Sequence, residues 1–316
     1  MIRRREFVQG ALALAALQAN TQSANAQQVP NSVGTNQPKT KAPAHAADCH
    51  MHIYDPARFP FSGTAKAPAN AAVAQYRLLQ KRNGTSRVVI VTPRNYVVDN
   101  RVTVDAIAQL GIANARGVAV VHPTITDAEL KKLNEGGIRG IRFSISDPKV
   151  AVTTPAMIEP LAKRVAGLGW HIQFNMTGQQ VVELADVLRR LPVQMVFDHL
   201  ANPPLPAGVA HPSHGIVREL LDKRRAWVKL SGAYSNTKIG PPAYPEATAI
   251  ARDFVQAAPE RLVWGSDWPH PSLPDDHKPD DALLFDLLAV WAPSEAVRNR
   301  ILAQNPEALY GFAKTV

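Results

Sequence analysis

The chain carries a motif of two histidines, His50-Met51-His52, within an apolar run near its start. Residues two apart on a β-strand point to the same face, so both imidazoles would converge on one point. Such a pair can bind a divalent metal ion, or the two rings can simply hydrogen-bond to their neighbours inside the protein. The motif therefore marks a candidate site whose chemistry depends on the groups that lie nearby.

Two further groups of this kind follow later in the chain: His199 ends one apolar run and Asp267 follows another. Three imidazoles and a carboxylate suit Zn²⁺ or a comparable ion with one open position for water. Without a metal, Asp267 could still take a proton from water with the help of an imidazole. We predict catalytic roles for these residues, and the same set as ligands if one divalent ion is bound: His50, His52, His199 and Asp267.

Two arginines favour an anionic substrate for this site. Arg142 lies two residues before the end of an apolar run, and Arg94 follows another run. A guanidinium binds a carboxylate or sulfonate through paired hydrogen bonds, so both arginines could hold an acid group of the substrate. For Arg142 the alternative is an internal ion pair with Asp198 or Asp267. The other residues predicted to contact substrate are Tyr54, Asn175, Tyr234 and His270, with loop packing as the alternative for His270.

These residues must be positioned by the surrounding elements, and eight short apolar runs alternate with amphipathic stretches from about residue 46 onward. The runs are nearly continuous in hydrophobicity, which is typical of parallel strands buried on both faces. Eight such units predict an α/β fold, a (β/α)₈ TIM barrel with C-terminal helices, over residues 46–316. An open doubly wound sheet is the alternative, although no glycine-rich phosphate loop follows the first run. The predicted strands are residues 47–53, 87–92, 116–122, 140–144, 170–175, 194–199, 227–231 and 262–266.

The amphipathic stretches predict the helices, and Thr126 is a predicted N-cap. In a TIM barrel the active site lies at the C-terminal ends of the strands, where most of the candidate residues fall. The barrel therefore explains how residues from positions 50 to 270 could share one cavity. The predicted helices are residues 73–83, 127–134, 155–168, 179–190, 214–223, 245–257, 282–291 and 294–303.

Residues 1–26 have the pattern of a signal peptide. Residues 3–5 are arginines, residues 10–17 are apolar, and residues 24–26 have the small side chains of a cleavage site. The paired arginines resemble the twin-arginine export signal, with an ordinary secretory signal as the alternative. Residues 27–45 are polar and are predicted to form a disordered linker. The sequence thus predicts a periplasmic protein that the twin-arginine machinery exports.

The composition of the 316-residue chain narrows the function classes. Its formal net charge is +9, but the basic residues are scattered, so nucleic-acid binding is not predicted. A pocket of basic residues that binds an anionic substrate would explain the net charge equally well. The single cysteine, Cys49, excludes an intramolecular disulfide. The apolar run of the signal peptide is about half the length of a membrane span, so the mature form is expected to lack a membrane segment.

Five motifs in barrel order resemble the amidohydrolase superfamily. The resemblance covers about residues 46–313 and is strongest to the branch of 2-pyrone-4,6-dicarboxylate lactonase, 4-sulfomuconolactone hydrolase, galactarolactone isomerase and sugar lactonases. The motifs are Asp48-Cys-His-Met-His-Ile-Tyr-Asp55, Gly137-Ile-Arg-Gly-Ile-Arg-Phe143, Val196-Phe-Asp-His199, Val228-Lys-Leu-Ser-Gly232 and Trp264-Gly-Ser-Asp-Trp-Pro-His270.

The resemblance implies a reaction and a set of roles. Asp267 would activate a water that attacks a lactone carbonyl, and the three candidate histidines would polarise that carbonyl. Arg142, with Arg94 as a further candidate, would hold the acid groups of the substrate. Many metal-dependent members carry a lysine or glutamate after strand four and a histidine after strand five. This chain has Arg142 and then Gln173 and Asn175 there, so at most one metal ion, most favourably Zn²⁺, is expected.

The leading hypothesis is therefore hydrolysis of a small anionic lactone from aromatic or sugar-acid breakdown. Dicarboxylate pyrone lactonases carry an arginine shortly after the strand-seven Lys-Leu-Ser-Gly motif. This chain does not, which weakens the assignment of a substrate with two carboxylates. Lactone isomerisation in the same pocket is the second hypothesis. A periplasmic protein that binds an anionic solute without turnover is the third, and decarboxylation is a weaker fourth.

Overall fold

The computed structural model describes residues 28–62 and 68–314. The predicted signal peptide and the first residue of the predicted linker lie outside the described residues. Among the helices of the described ranges, none has both the length and the apolar character that a bilayer crossing requires.

Eight parallel strands form one sheet whose order follows the chain from β1 to β8. All eight predicted strands are confirmed, with bounds that differ by a few residues. The strand order never reverses, which excludes an open doubly wound sheet and confirms the TIM barrel. The strands are β1 (Ala47–Met51), β2 (Arg87–Val91), β3 (Ala115–Ala119), β4 (Ile138–Ser144), β5 (His171–Asn175), β6 (Met195–Phe197), β7 (Ala226–Leu230) and β8 (Leu262–Trp264).

The helices cover the outside of the barrel, and most of them were predicted. The predicted Thr126 cap is confirmed: its hydroxyl accepts from the Glu129 N–H at 3.2 Å, and the Glu129 carboxylate accepts from the Thr126 N–H at 2.7 Å. The helices are α1 (Val73–Asn83), α2 (Arg101–Leu110), α3 (Asp127–Glu135), α4 (Ile158–Ala166), α5 (Gly178–Glu183), α6 (Ala185–Arg190), α7 (Pro212–Asp222), α8 (Pro245–Ala257), α9 (Asp281–Trp291), α10 (Glu295–Asn299) and α11 (Asn305–Tyr310).

The barrel closes between β8 and β1 through backbone atoms just beyond the end of β8. The N–H of Asp267 donates to the carbonyl of His50, and the N–H of His52 donates to the carbonyl of Trp268, both at 2.8 Å. Two of the candidate histidines and the candidate aspartate are therefore joined through their own backbones, so the geometry of the site depends on barrel closure.

The carboxylate of Asp48 adds a side-chain bridge at the same junction. It accepts from the Ser266 N–H at 2.9 Å and the Ser266 hydroxyl at 2.6 Å, and also from the Tyr76 hydroxyl at 3.1 Å and the His50 N–H at 3.2 Å. Asp48 is 1% exposed, so these donors replace the water that a buried carboxylate lacks.

We expect Asp48→Ala to lower the free energy of unfolding by about 3 kcal/mol, because it leaves the Ser266 and His50 N–H groups buried without an acceptor. Denaturant unfolding followed by circular dichroism measures the loss. Asp48→Asn is the matched control, since its carboxamide oxygen can still accept from both N–H groups, and it should lose less than half as much. Equal losses in the two variants would contradict this account.

The C-terminal helices seal the N-terminal end of the barrel. The Arg87 guanidinium pairs with Glu307 at 2.9 Å, and the Nε–H of Arg116 donates to the carbonyl of Tyr310 at 3.1 Å. The ring of Tyr310 also lies edge-on to the imidazole of His171, with 5.3 Å between the centroids. In the described residues these side chains close this end of the barrel, so a substrate would approach the interior from the opposite end.

Residues 28–45 lie against the barrel, which departs from the predicted disordered linker. The indole N–H of Trp268 donates to the carbonyl of Pro30 at 2.7 Å, and the Nε–H of Arg82 donates to the carbonyl of Asn36 at 2.8 Å. The prediction rested on the scarcity of large apolar side chains in this segment. Its backbone carbonyls are instead bound by side chains of the barrel, an interaction that composition does not reveal.

Candidate active site

Asp267 lies at the centre of a cluster of three histidines at the C-terminal end of the barrel. Its Oδ1 lies 3.4 Å from Nε2 of His50, 3.4 Å from Nε2 of His52 and 4.0 Å from Nε2 of His199. All four residues are buried, with exposed fractions of 9% or less. The structure thus brings together the four residues that were predicted as catalytic or metal-binding.

An irregularity in β1 helps to aim the histidines. The register between β1 and β2 shifts between Asp48 and Met51. Cys49 packs with Trp227 and other residues of the barrel interior, and the next residue, His50, also contacts an interior side chain, Lys229. A bulge of this kind re-aims side chains beside a site, and here both the cysteine and the histidine face inward.

His199 and Asp267 are both presented by left-handed backbone. The φ of Asp267 is 62°, and His199, with a φ of 49°, begins a run of positive-φ residues that continues to Asn202. Non-glycine residues rarely adopt this region, so the surrounding contacts must hold it. The side-chain amide of Asn236, for example, donates to the carbonyl of His199 at 3.0 Å.

Two glycines leave room for the histidines. A Cβ on Gly265 would lie 2.5 Å from the Cβ of His50, and a Cβ on Gly232, whose φ is also positive, would lie 2.7 Å from Nδ1 of His199. Both distances are far below a normal contact, so only glycine allows the backbone to approach these side chains.

In His52 and His199, Nδ1 forms a hydrogen bond that orients the imidazole so that Nε2 faces Asp267. Nδ1 of His52 lies 2.8 Å from the carbonyl oxygen of Val91, and Nδ1 of His199 lies 3.0 Å from the hydroxyl of Ser231. Because a carbonyl only accepts, Nδ1 of His52 must carry the hydrogen. Nε2 of His52 therefore points into the cluster, and in the tautomer with its hydrogen on Nδ1 it can serve as a ligand.

A polar layer lies beneath the cluster inside the barrel. Asp198 Oδ1 lies 3.2 Å from Nδ1 of His50, and Asp198 Oδ2 accepts from the Nε–H of Arg142 at 3.0 Å. Lys229 Nζ donates to the side-chain amide oxygen (Oε1) of Gln173 at 2.7 Å and lies 3.7 Å from Asp198. Burial lowers the pKa of Lys229 to about 8, and Asp198 opposes that shift. The internal ion pair that was the alternative for Arg142 is therefore present.

Burial and neighbouring charges define the protonation states of the cluster. Burial, together with the charge of Lys229, lowers the pKa of His50 well below 6.5, and burial also lowers the pKa of His199. Burial alone would raise the pKa of Asp267, but its histidine neighbours outweigh that effect and hold it well below 3.8. At neutral pH the site therefore holds a carboxylate beside the neutral imidazoles of His50 and His199.

A cavity of about 580 Å³ opens above the cluster. This volume lies within the range of about 300–1,000 Å³ that is typical of small-molecule sites. Its lining is rich in hydroxyl and amide groups, and His52, His199 and Asp267 form part of its floor. Four of the predicted substrate contacts are among the lining residues: Tyr54, Arg94, Arg142 and Asn175.

Comparisons with known proteins identify the family of this chain. The family model for amidohydrolases matches residues 47–312. The chain belongs to the amidohydrolase family. It is 35% identical over 285 residues to 2-pyrone-4,6-dicarboxylate hydrolase of Comamonas testosteroni, covering 87% of this chain and 93% of that protein. It is 32% identical over 276 residues to 4-sulfomuconolactone hydrolase of Rhizobium radiobacter, covering 85% and 91%. A crystal structure of an Agrobacterium tumefaciens protein in its apo form has a TM-score of 0.81 at 28% identity, covering 90% and 99%.

The predicted substrate contacts of this amidohydrolase need one correction. Tyr234 and His270 are not among the residues that line the cavity. The hydroxyl of Tyr234 donates to Oδ2 of Asp267 at 2.5 Å, and His270 is fully buried behind it. Tyr234 follows β7 in a single 3₁₀ turn, Ala233–Ser235, and His270 follows β8 in an irregular loop, so no strand periodicity indicates which way either side chain points.

Three polar residues that contact the site directly or through a neighbour were assigned no role from the sequence: Gln173, Lys229 and Asp281. The even spacing of Gln173 from Asn175, and of Lys229 from Ser231, would have placed both in the barrel interior. Asp281 begins α9, and no motif or spacing connects it to its partner His270.

Amidohydrolases often bind metal ions, and the cluster has the groups to hold one. Within the described part of the chain, the ligand atoms of His50, His52 and Asp267 lie within 4.8 Å of one another, as do those of His50, Asp198 and His199. Nε2 of His50 and Oδ1 of Asp267 form no hydrogen bond of acceptable geometry. Ligand atoms in a tetrahedral zinc site lie about 3.3 Å apart, close to the 3.4 Å from Oδ1 to each of the two nearer histidines.

Proposed function

We propose that this amidohydrolase hydrolyses a small anionic lactone, with Asp267 as the base that activates water. The observation that carries the proposal is the ionised Oδ1 of Asp267, which faces three imidazole nitrogens beneath a cavity that also holds Arg142 and Arg94. The two curated relatives described above are hydrolases of 2-pyrone-4,6-dicarboxylate and of 4-sulfomuconolactone, and both substrate names include an acid group.

In the proposed reaction, Asp267 Oδ1 takes a proton from a water molecule while the water oxygen bonds to the lactone carbonyl carbon. The tetrahedral intermediate then collapses, and the bond from that carbon to the ring oxygen breaks. The ring oxygen takes the proton back from Asp267, so one water and one lactone give one open-chain acid. Burial of Asp267 excludes bulk water, and the single face of the carboxylate that reaches the cavity restricts where the attacking water can lie.

Arg142 is proposed to bind an acid group of the substrate from the side of the cavity. Its Nε–H holds Asp198, and its terminal nitrogens are available to a carboxylate or sulfonate. Arg94 is exposed on the cavity rim and is proposed to contact a more distant part of the same substrate.

We further propose that His50, His52, His199 and Asp267 hold one divalent ion, most favourably Zn²⁺. When bound, such an ion polarises the lactone carbonyl as a Lewis acid and lowers the pKa of a water molecule. The other ring nitrogens are already engaged: the Val91 carbonyl and the Ser231 hydroxyl bind those of His52 and His199, and Asp198 and Lys229 both lie 3.2 Å from that of His50. Elemental analysis tests the proposal: one zinc per chain, lost in a His52→Ala variant, is expected, and two ions per chain would contradict it.

Turnover in ¹⁸O-labelled water tests the function and separates it from lactone isomerisation. Hydrolysis is expected to place one labelled oxygen in the new carboxylate, because the attacking oxygen comes from solvent. An isomerase would give an unlabelled product, and a solute-binding protein would give none. The substrates are 2-pyrone-4,6-dicarboxylate, 4-sulfomuconolactone and a sugar-acid lactone, with unsubstituted 2-pyrone as the matched control that lacks an acid group. Equal turnover of the control would contradict anion recognition.

Export through the twin-arginine pathway to the periplasm is also a proposal, based on the arginine pair at residues 4 and 5. Replacing both arginines with lysine should retain the protein in the cytoplasmic fraction, whereas Arg3→Lys should leave export unchanged. Periplasmic recovery of the double variant would contradict the proposal.

A further inference from the structure

A chain of three hydrogen-bonded side chains leads from Asp267 to the first residue of α9. The Tyr234 hydroxyl donates to Asp267 Oδ2 at 2.5 Å, and Nδ1 of His270 lies 3.2 Å from the same hydroxyl. Nε2 of His270 in turn lies 3.1 Å from Oδ2 of Asp281, the first residue of α9. The chain thus connects the candidate base to the outer layer of the barrel.

We propose that Tyr234, His270 and Asp281 form a positioning relay that holds the Asp267 carboxylate with Oδ1 toward the three histidines. The inference rests on the proposed function, in which Oδ1 takes the proton from water. None of the three residues is among those that line the cavity, and the Tyr234 hydroxyl is bound to Asp267, so the relay is proposed to act through Asp267.

The first argument concerns the two oxygens of Asp267, which are chemically equivalent until their surroundings distinguish them. Oδ2 is bound by the Tyr234 hydroxyl, whereas Oδ1 forms no hydrogen bond of acceptable geometry in the described residues and faces the imidazole nitrogens. Rotation about the Cβ–Cγ bond would break the contact with Tyr234. The hydroxyl therefore selects which oxygen faces the cavity.

The second argument concerns the direction of the hydrogen bonds. A tyrosine hydroxyl has one hydrogen, and a carboxylate only accepts, so this hydrogen goes to Asp267. With that hydrogen donated to Asp267, the Tyr234 oxygen and the Asp281 carboxylate are both acceptors toward His270, so Nδ1–H donates to Tyr234 and Nε2–H donates to Asp281 when the ring carries both hydrogens. Asp281 at the other ring nitrogen fixes the orientation of the imidazole, as carboxylates do for histidines beside metal sites.

The third argument concerns burial. The side chains of His270 and Asp281 are both 0% exposed, and such a buried pair is often no more stabilising than apolar residues of the same volume. Their position is nevertheless fixed: Lys278 Nζ donates to the carbonyl of His270 at 2.9 Å, and the N–H of Asp281 donates to the hydroxyl of Ser32 at 3.2 Å. A costly pair that is held in place and leads to the base indicates a role in positioning.

The test begins with Tyr234→Phe, which removes only the hydroxyl. We expect kcat to fall about 10–100-fold, the usual effect of losing a group that orients a metal ligand or base, while KM changes by less than about twofold. Measuring KM and kcat separately distinguishes positioning from substrate binding, because loss of a group that touched the substrate would raise KM. A crystal structure of this variant should show the Asp267 carboxylate turned or in more than one orientation.

His270 offers a conservative comparison. Its φ is 55°, a conformation that asparagine and glycine both tolerate. In His270→Asn the amide nitrogen can replace Nδ1 as the donor to Tyr234, whereas His270→Gly removes the donor. The asparagine variant should therefore keep a kcat several-fold above that of the glycine variant, and equal values would overturn the relay.

Tyr76→Phe is the matched control for loss of a buried hydroxyl. Tyr76 also donates to a buried carboxylate, that of Asp48 at 3.1 Å. Its hydroxyl does not contact Asp267, and without it Asp48 can still accept from the Ser266 and His50 N–H groups. This variant should lower the unfolding midpoint and leave kcat within about twofold of the parent. If Tyr234→Phe behaved in the same way, the relay would be only structural and the proposal overturned.

The outcomes distinguish the relay from the proposed function. Failure of the parent protein to hydrolyse any lactone would contradict the function, while the crystal structure of Tyr234→Phe would still test the orientation of the carboxylate. A carboxylate that kept its orientation in that variant would overturn the relay, even if the lactonase assignment held.

Discussion

Asp267→Asn is expected to reduce kcat by about 10³–10⁴-fold while leaving the fold intact. The amide cannot take a proton from water, and loss of a general base costs up to about 10⁴-fold. The backbone at this position has a φ of 62°, and asparagine is among the residues that best tolerate such a conformation. Its amide oxygen can still accept from the Tyr234 hydroxyl, so the surrounding contacts can be kept. Steady-state kinetics and thermal unfolding together measure the effect.

Asp147→Asn is the matched control for this prediction. Asp147 is an exposed carboxylate that lines the same cavity, but it is not part of the histidine cluster. The control should change kcat by less than about threefold. If Asp267→Asn kept most of its activity while the parent enzyme hydrolysed the lactone, another group would have to be the base. A large loss of stability in Asp267→Asn would instead mean that the aspartate is needed for closure of the barrel.

The sequence predicted the barrel well because its strands have a simple physical signature. Each is an apolar run buried on both faces, and the eight runs follow one another along the chain as the strands do in space. Helix α2 was not predicted, since Val102, Thr103 and Val104 have low helix propensity. Burial of Val102 and Ile107 against the barrel stabilises that helix nonetheless, and local propensity cannot express such a tertiary effect.

The candidate site was predicted where it depends on strand periodicity and missed where it depends on loops. His50 and His52 lie two apart, and the barrel brings them to His199 and Asp267 as expected. Their exact approach depends on the register shift in β1 and on left-handed turns, which leave no periodic signal. Tyr234 lies in a short 3₁₀ turn after β7, outside the strand, so its contact with the base could not be deduced.

Arg142→Met should lower kcat/KM for an acidic lactone by about 100- to 1,000-fold, mainly through KM. Truncating one partner of a buried, hydrogen-bonded charge pair costs about 2–5 kcal/mol, and Arg142 is only 7% exposed. Methionine keeps much of the length and volume of the arginine side chain but supplies no donor to a carboxylate or sulfonate. Arg94→Met is the comparison: Arg94 is exposed on the same cavity, and its loss should cost about tenfold or less, because solvent screens it.

Arg142 also holds Asp198, so its replacement could lower activity by disturbing His50 and not by losing the substrate contact. Unsubstituted 2-pyrone separates the two effects, because a lactone without an acid group gains nothing from the guanidinium. If anion binding dominates, Arg142→Met should lose activity on the acidic lactone and keep its residual rate on the neutral one. If the rates on both substrates fell by the same factor, Arg142 would act on the catalytic cluster through Asp198, and recognition of the acid group would have to come from another residue of the cavity.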